Sequence, residues 1–184
     1  NDANFFYGKD LFEGGFREWF VKTVEIASKN DKVNWLIKLH PANIFRRQNQ
    51  GYTGEFGEII AINDYLGKIP DNIKIIPADI DINPYSFFML ADYGITVRGT
   101  IGAELPCFGI PVLTAGTGRY SNKGFTIDSH TKEEYLDKIL NIDQIKPLTQ
   151  AETKLANKHA YLFFKERPAK YDSFLLDCYS DSNN

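Results

Sequence analysis

Between Val33 and Thr114 the chain alternates short strand-forming runs with helical stretches, and the links between them are brief. Val33–Leu39, Ile73–Pro77, Tyr93–Val97 and Ile110–Thr114 are rich in Val, Ile, Leu and aromatic residues and are too short for helices. Strand, helix, strand, helix with short links predicts a parallel sheet covered on both faces. The expected fold is therefore α/β, a Rossmann-like doubly wound domain with residues 1–184 as one unit.

The remaining elements follow from periodicity and local stop signals. Phe12, Phe16, Trp19, Phe20, Val24 and Ala27 recur at helical spacing and predict an amphipathic helix over Leu11–Ser28. His40-Pro41 closes the first strand, and the polar stretch Ala42–Gly57 reads as a loop. Helices are expected at Glu58–Leu66, from Asn83-Pro84 to Ala91, and at Ile101–Phe108. A brief extended piece is expected at Phe125–Ile127. Thr131 with Glu134 and Thr149 with Glu152 spell capping boxes for helices reaching Leu140 and Glu166. Pro168 would end the last of these, and the tail from Ser180 is expected to fray.

Composition narrows the function classes. With 43% hydrophobic and 14% aromatic residues, 184 residues can form a real core. Net charge is −3, and the clusters Arg46-Arg47 and Arg119–Lys123 are too small for a nucleic-acid groove. Cys107 and Cys178 are far apart and lack metal-ligand spacing, and no pair of histidines has it, so neither a disulfide framework nor a metal or other cofactor is expected. No signal-peptide pattern or bilayer-length apolar run occurs. The expectation is a cytoplasmic domain. Because the first residue is Asn rather than Met, it is read as a piece of a longer protein.

Ligands of open α/β sheets bind beyond the carboxyl ends of the strands. The first strand delivers His40 there and the second Asp79 and Asp81. The third is followed by Arg98-Gly99-Thr100-Ile101-Gly102 and the fourth by Ala115-Gly116-Thr117-Gly118-Arg119-Tyr120. In the third loop two glycines bracket a helix start, where unpaired N–H groups and a partial positive charge suit a phosphate. Thr100 adds a hydroxyl and Arg98 a guanidinium. The alternative is a tight strand–helix turn with Thr100 as an ordinary N-cap. His40 can donate to a phosphate oxygen, or it can be a strand-terminal histidine bonded to backbone. Glu104, about one turn into the helix, could meet ribose hydroxyls or merely complement the helix dipole. Gly118, Arg119, Tyr120 and Lys123 lie in a Gly-rich loop that could close over the ligand, or leave its cations solvated.

Three stretches carry a resemblance. They are Lys38-Leu39-His40-Pro41, Ile95 through Glu104, and Gly109-Ile110-Pro111-Val112 onward to Gly124-Phe125-Thr126-Ile127-Asp128. In their order and spacing they resemble the bacterial capsule polysaccharide biosynthesis proteins that include Kdo transferases. That resemblance implies the C-terminal, donor-binding domain of a GT-B glycosyltransferase. It implies that His40 and the Thr100 loop hold the donor phosphate, that Glu104 meets the nucleoside, and that the donor is a CMP-linked sugar such as Kdo. The acceptor, a glycan or lipid-linked glycan, would be held by the other domain, peripherally associated with a membrane polysaccharide assembly complex at its inner face. Where family members have a Ser- or Thr-rich stretch this chain has Arg98-Gly99-Thr100, so arginine replaces a hydroxyl or the ligand differs. A CDP-polyol phosphotransferase-like domain and a non-catalytic nucleotide- or carbohydrate-binding module remain alternatives.

Overall fold

The computed structural model describes residues 8–51 and 53–167. The elements in chain order are α1 (Gly15–Ala27), β1 (Trp35–Lys38), α2 (Ala42–Gln50), α3 (Gly57–Leu66), β2 (Ile73–Ile76), α4 (Tyr85–Phe88) and β3 (Gly94–Thr96). They continue with α5 (Ile101–Glu104), β4 (Val112–Thr114), β5 (Ile127–Asp128), α6 (Lys132–Leu140) and α7 (Gln150–Tyr161). Every described strand pairing is parallel, so the chain is an α/β protein.

The strands form two small sheets rather than one continuous ladder. β1 pairs with β2, and β3, β4 and β5 pair in that order. Side-chain packing unites them. Phe20 and Val24 of α1, Ile62 of α3, Ile73 of β2, Leu113 of β4, and Tyr135 and Ile139 of α6 belong to one buried cluster. Burying a side chain of this size stabilises by about 1.5–3 kcal/mol, so a shared core can hold together strands too short to do it by backbone pairing. Parallel neighbours need a crossover of about a dozen residues. Between β4 and β5 that crossover is a loop, stiffened by burial of Tyr120 and Phe125.

Local chemistry explains where the elements depart from the sequence reading. Ala42–Gln50, expected as loop, is helical. The His40 Nδ1 atom accepts from the Ala42 N–H at 3.0 Å and starts the helix, and Gly51 stops it in the left-handed region at φ 62°. The helix expected to reach Ala91 is one turn, with the Asn83 side chain accepting from the Tyr85 N–H at 3.0 Å. The helix expected over Ile101–Phe108 changes to a 3-10 turn at Leu105–Phe108, where Pro106 brings no N–H to the ladder. The final helix becomes π-helical at Leu162–Glu166. Thr149 and Glu152 form the full reciprocal box. Thr131 accepts from the Glu134 N–H, but the Glu134 carboxylate takes the His130 N–H instead. Pro168, Cys178 and the tail from Ser180 lie outside the described residues. Among the described residues no helix is long and apolar enough to cross a membrane.

Tyr135 fastens α6 to α1. Its hydroxyl accepts from Trp19 Nε1 at 2.9 Å and lies 3.1 Å from Thr23 Oγ1. Thr23 spends its own proton on the Trp19 carbonyl at 2.7 Å, so Tyr135 is the donor in their pair. Burial pushes the Tyr135 pKa well above its ordinary value, which keeps that donor protonated. Tyr135→Phe strips Trp19 of its acceptor and Thr23 of its donor. A loss of about 1–3 kcal/mol is expected from urea unfolding; an unchanged midpoint would mean that ring burial alone fixes α6.

Candidate functional site

β3 ends at Thr96, and the residues after it are held from below. The Thr96 hydroxyl accepts from the Gly99 N–H at 2.9 Å. Tyr120, from the loop after β4, donates its hydroxyl to the Gly99 carbonyl at 3.0 Å. Burial raises the Tyr120 pKa to about 12, with the Thr96 hydroxyl acting in the opposite direction, so the phenol stays a donor at neutral pH. The ring lies against Gly102, where a Cβ would fall 2.2 Å from Tyr120 Cζ. Gly102 is therefore small to seat Tyr120; the space is filled by protein rather than kept for a ligand.

Above this seat the helix start is open. Thr100 is exposed and makes no side-chain cap. The Gly102 N–H goes to the Gly99 carbonyl, and those of Ala103 and Glu104 to the Thr100 carbonyl. The Thr100 and Ile101 N–H groups precede the first of these turn bonds and have no intrahelical acceptor. Ile101 is half-buried. Glu104, half-buried, adds a carboxylate one turn on.

Arg98 takes a different place from the one its position in the sequence suggests. Its side chain is only 6% exposed and pairs with Asp10 at 2.7 Å. Its Nε donates to the Thr117 carbonyl at 2.9 Å. The segment carrying Asp10 is bonded to the same loop, Lys9 N–H to Thr117 Oγ1 at 2.7 Å and Thr117 N–H to the Lys9 carbonyl at 3.0 Å. The guanidinium thus ties three segments together. A phosphate would have to compete with Asp10 for it.

The β4–β5 loop is organised by Asp128. Its carboxylate accepts from Thr114 Oγ1 at 2.8 Å, Thr126 Oγ1 at 3.0 Å and the Asn122 N–H at 2.6 Å. The Gly118 N–H donates to Ser121 Oγ at 2.7 Å. Arg119 and Lys123 are exposed, with the Arg119 guanidinium 5.1 Å from the Phe163 ring centroid. His40 is exposed at the end of β1 in the other sheet. Because its Nδ1 accepts from Ala42, the neutral ring carries its proton on Nε2, a donor turned to its surroundings. Asp79 and Asp81 are exposed, and the cap they might have supplied to α4 comes from Asn83.

Hydrogen bonds therefore bring together Gly99, Gly102 and Tyr120, Arg98 is bonded to Thr117 and Gly118 to Ser121 of the loop that carries Tyr120, and the bond described for the His40 side chain is to its own helix. Sequence reasoning missed Asp10, Thr96 and Asp128. Asp10 carries no local motif, Thr96 reads as an ordinary strand residue, and Asp128 stands at the end of a recognisable stretch without declaring its role. Among the described residues no group of three or more His, Cys, Asp or Glu could hold a metal ion.

No protein-family model matches the chain, and no curated protein matches it. Among solved structures it is similar to Thermosulfurimonas dismutans KpsC, a beta Kdo 2,4 transferase, at 16% identity and a TM-score of 0.34. The match covers 79% of this chain and 57% of that one, so the chain spans little more than half of that protein's length.

Gly102→Ala tests the seat of Tyr120. Overpacking there is expected to cost about 1–3 kcal/mol and to release the Tyr120–Gly99 bond, seen as changed Tyr120 ring resonances. Gly57→Ala is the control, since a Cβ there meets nothing within 4 Å. Equal effects from both would contradict the packing role of Gly102.

Proposed function

We propose that this chain binds a nucleotide-sugar donor for a glycosyltransferase of bacterial capsule or other surface polysaccharide, and that the donor is a CMP-linked sugar such as Kdo. On this reading the two parallel sheets are parts of a Rossmann-like, doubly wound domain. The observation that carries it is a helix start fixed from beneath by Tyr120 and Thr96 while the exposed Thr100 hydroxyl makes no cap. Donors fixed before a ligand arrives need not be ordered on binding. The three-stretch resemblance supplies the sugar nucleotide.

In this mechanism the donor phosphate rests on the Thr100 hydroxyl and the Thr100 and Ile101 N–H groups, with His40 Nε2–H as a further donor. As the glycosidic bond breaks, negative charge grows on the phosphate, and donors already aimed at it stabilise that state more than the ground state. Glu104 accepts from nucleoside hydroxyls. Arg98, paired with Asp10, acts at one remove by holding the Thr117 loop and the Asp10 segment in place. The loop Gly118–Lys123 borders the sugar. The acceptor glycan would be held by a further domain, in a complex peripheral to the membrane.

Calorimetry with CMP, CDP, UDP and GDP, in the presence of EDTA, tests the reading. CMP is expected to bind most tightly; binding of none of the four by folded protein would overturn it, and preference for CDP would favour the polyol-phosphate alternative. His40→Ala should weaken CMP about ten- to a hundredfold, matching the ~1.5–3 kcal/mol of a hydrogen bond to a charged group, and leave cytidine unchanged. An equal loss for both would make His40 structural, the starter of α2 alone.

A further inference from the structure

The segment before α1 is built into the edge of the β3–β4–β5 sheet. Asp10 and Gly116 form an antiparallel bridge. Beside it Lys9 and Thr117 exchange two bonds, the Lys9 N–H to Thr117 Oγ1 at 2.7 Å and the Thr117 N–H to the Lys9 carbonyl at 3.0 Å. Two glycines permit this approach. At Gly8, with φ 77°, a Cβ would lie 1.8 Å from the Thr117 carbonyl oxygen, and at Gly116 one would lie 2.6 Å from that of Lys9. The Asp10 carboxylate closes the pairing on Arg98 at 2.7 Å, and Arg98 Nε returns to the Thr117 carbonyl at 2.9 Å.

Both ends of this pairing lead to the Gly99-Thr100 turn. Thr117 lies on the loop of Tyr120, whose hydroxyl fixes the Gly99 carbonyl, and Arg98 is the chain neighbour of Gly99. α5 has only four residues and cannot fix its own start, because so short a helix is unstable without tertiary support. The Arg98 side chain is only 6% exposed, so it reaches a ligand only if the pairing opens. We infer that Gly8–Asp10 is a clasp, with Asp10 a positioning residue, that sets the Gly99-Thr100 turn through Arg98 and the Thr117–Tyr120 loop. The coupling is reciprocal: a ligand that needs the ordered turn tightens the clasp, and a pull on the segment before α1 is felt at the turn. The clasp stands on this geometry alone, whereas its effect on nucleotide rests on the donor reading.

Amide exchange on the full chain, without nucleotide, follows the Thr117 and Gly99 N–H groups by NMR. Asp10→Asn is expected to speed both by about tenfold or more, and Asp10→Glu, which keeps the charge, to restore much of the protection. Glu13→Gln, which removes an exposed acid of the same segment, should change neither. Thr117→Val, which takes the acceptor from the Lys9 N–H, is the second variant if Asp10→Asn does not fold. Faster exchange at Thr117 with Gly99 unchanged would overturn the inference, since the clasp would then serve its own loop alone. In calorimetry the same variants should bind CMP at least about fivefold more weakly and cytidine within about twofold. Tighter CMP binding by Asp10→Asn would also overturn it, making Asp10 a competitor for Arg98 rather than its anchor. No CMP binding by the unaltered chain would sink the donor reading instead, and the exchange at Gly99 would still decide the clasp.

Discussion

The edge of the β3–β4–β5 sheet depends on one contact, Tyr120 lying on Gly102 with its hydroxyl on the Gly99 carbonyl. It joins loops that leave two different strands and fixes the first turn of α5 without using that turn's outward-facing groups. The phenol can do this because burial holds it protonated, and Gly102 can receive it because glycine has no Cβ. A second fastening, Arg98 to Asp10 and to the Thr117 carbonyl, brings the chain before α1 onto the same edge. With the guanidinium buried, that ion pair is little screened by salt.

The two fastenings divide the labour among the glycines and cations of this edge. Gly102 serves packing. Gly116, at φ 141°, lets the Lys9–Asp10 segment approach, since a Cβ there would meet the Lys9 carbonyl at 2.6 Å. Among the cations, Arg98 is internal, while Arg119 and Lys123 are exposed, Arg119 over the Phe163 ring. Chemistry that the sequence gathers into one Gly-rich region is thus distributed in space between a scaffold and a surface.

What could be read from sequence was whatever is decided locally. The box of Thr149 and Glu152 needs only residues three apart, and α1 shows its apolar stripe directly. The parallel order of the strands followed from their alternation with helices. α2 was missed because its helix has few apolar residues and is started by a histidine side chain rather than by a Ser, Thr, Asp or Asn cap. At the site, the Thr100 helix start was legible from strand-end logic, but the burial of Arg98 was not. Its partner Asp10 lies before the first helix, and only the tertiary fold brings the two together.

In the proposed function the open start of α5 receives a phosphate. The most direct measurement is a crystal structure of the chain with CMP bound. The phosphate is expected within hydrogen-bonding distance of the Thr100 hydroxyl and the Thr100 and Ile101 N–H groups, with Tyr120 still on the Gly99 carbonyl and Arg98 still on Asp10. A nucleotide bound with its phosphate away from Thr100, or one that displaces Tyr120 to enter, would contradict it.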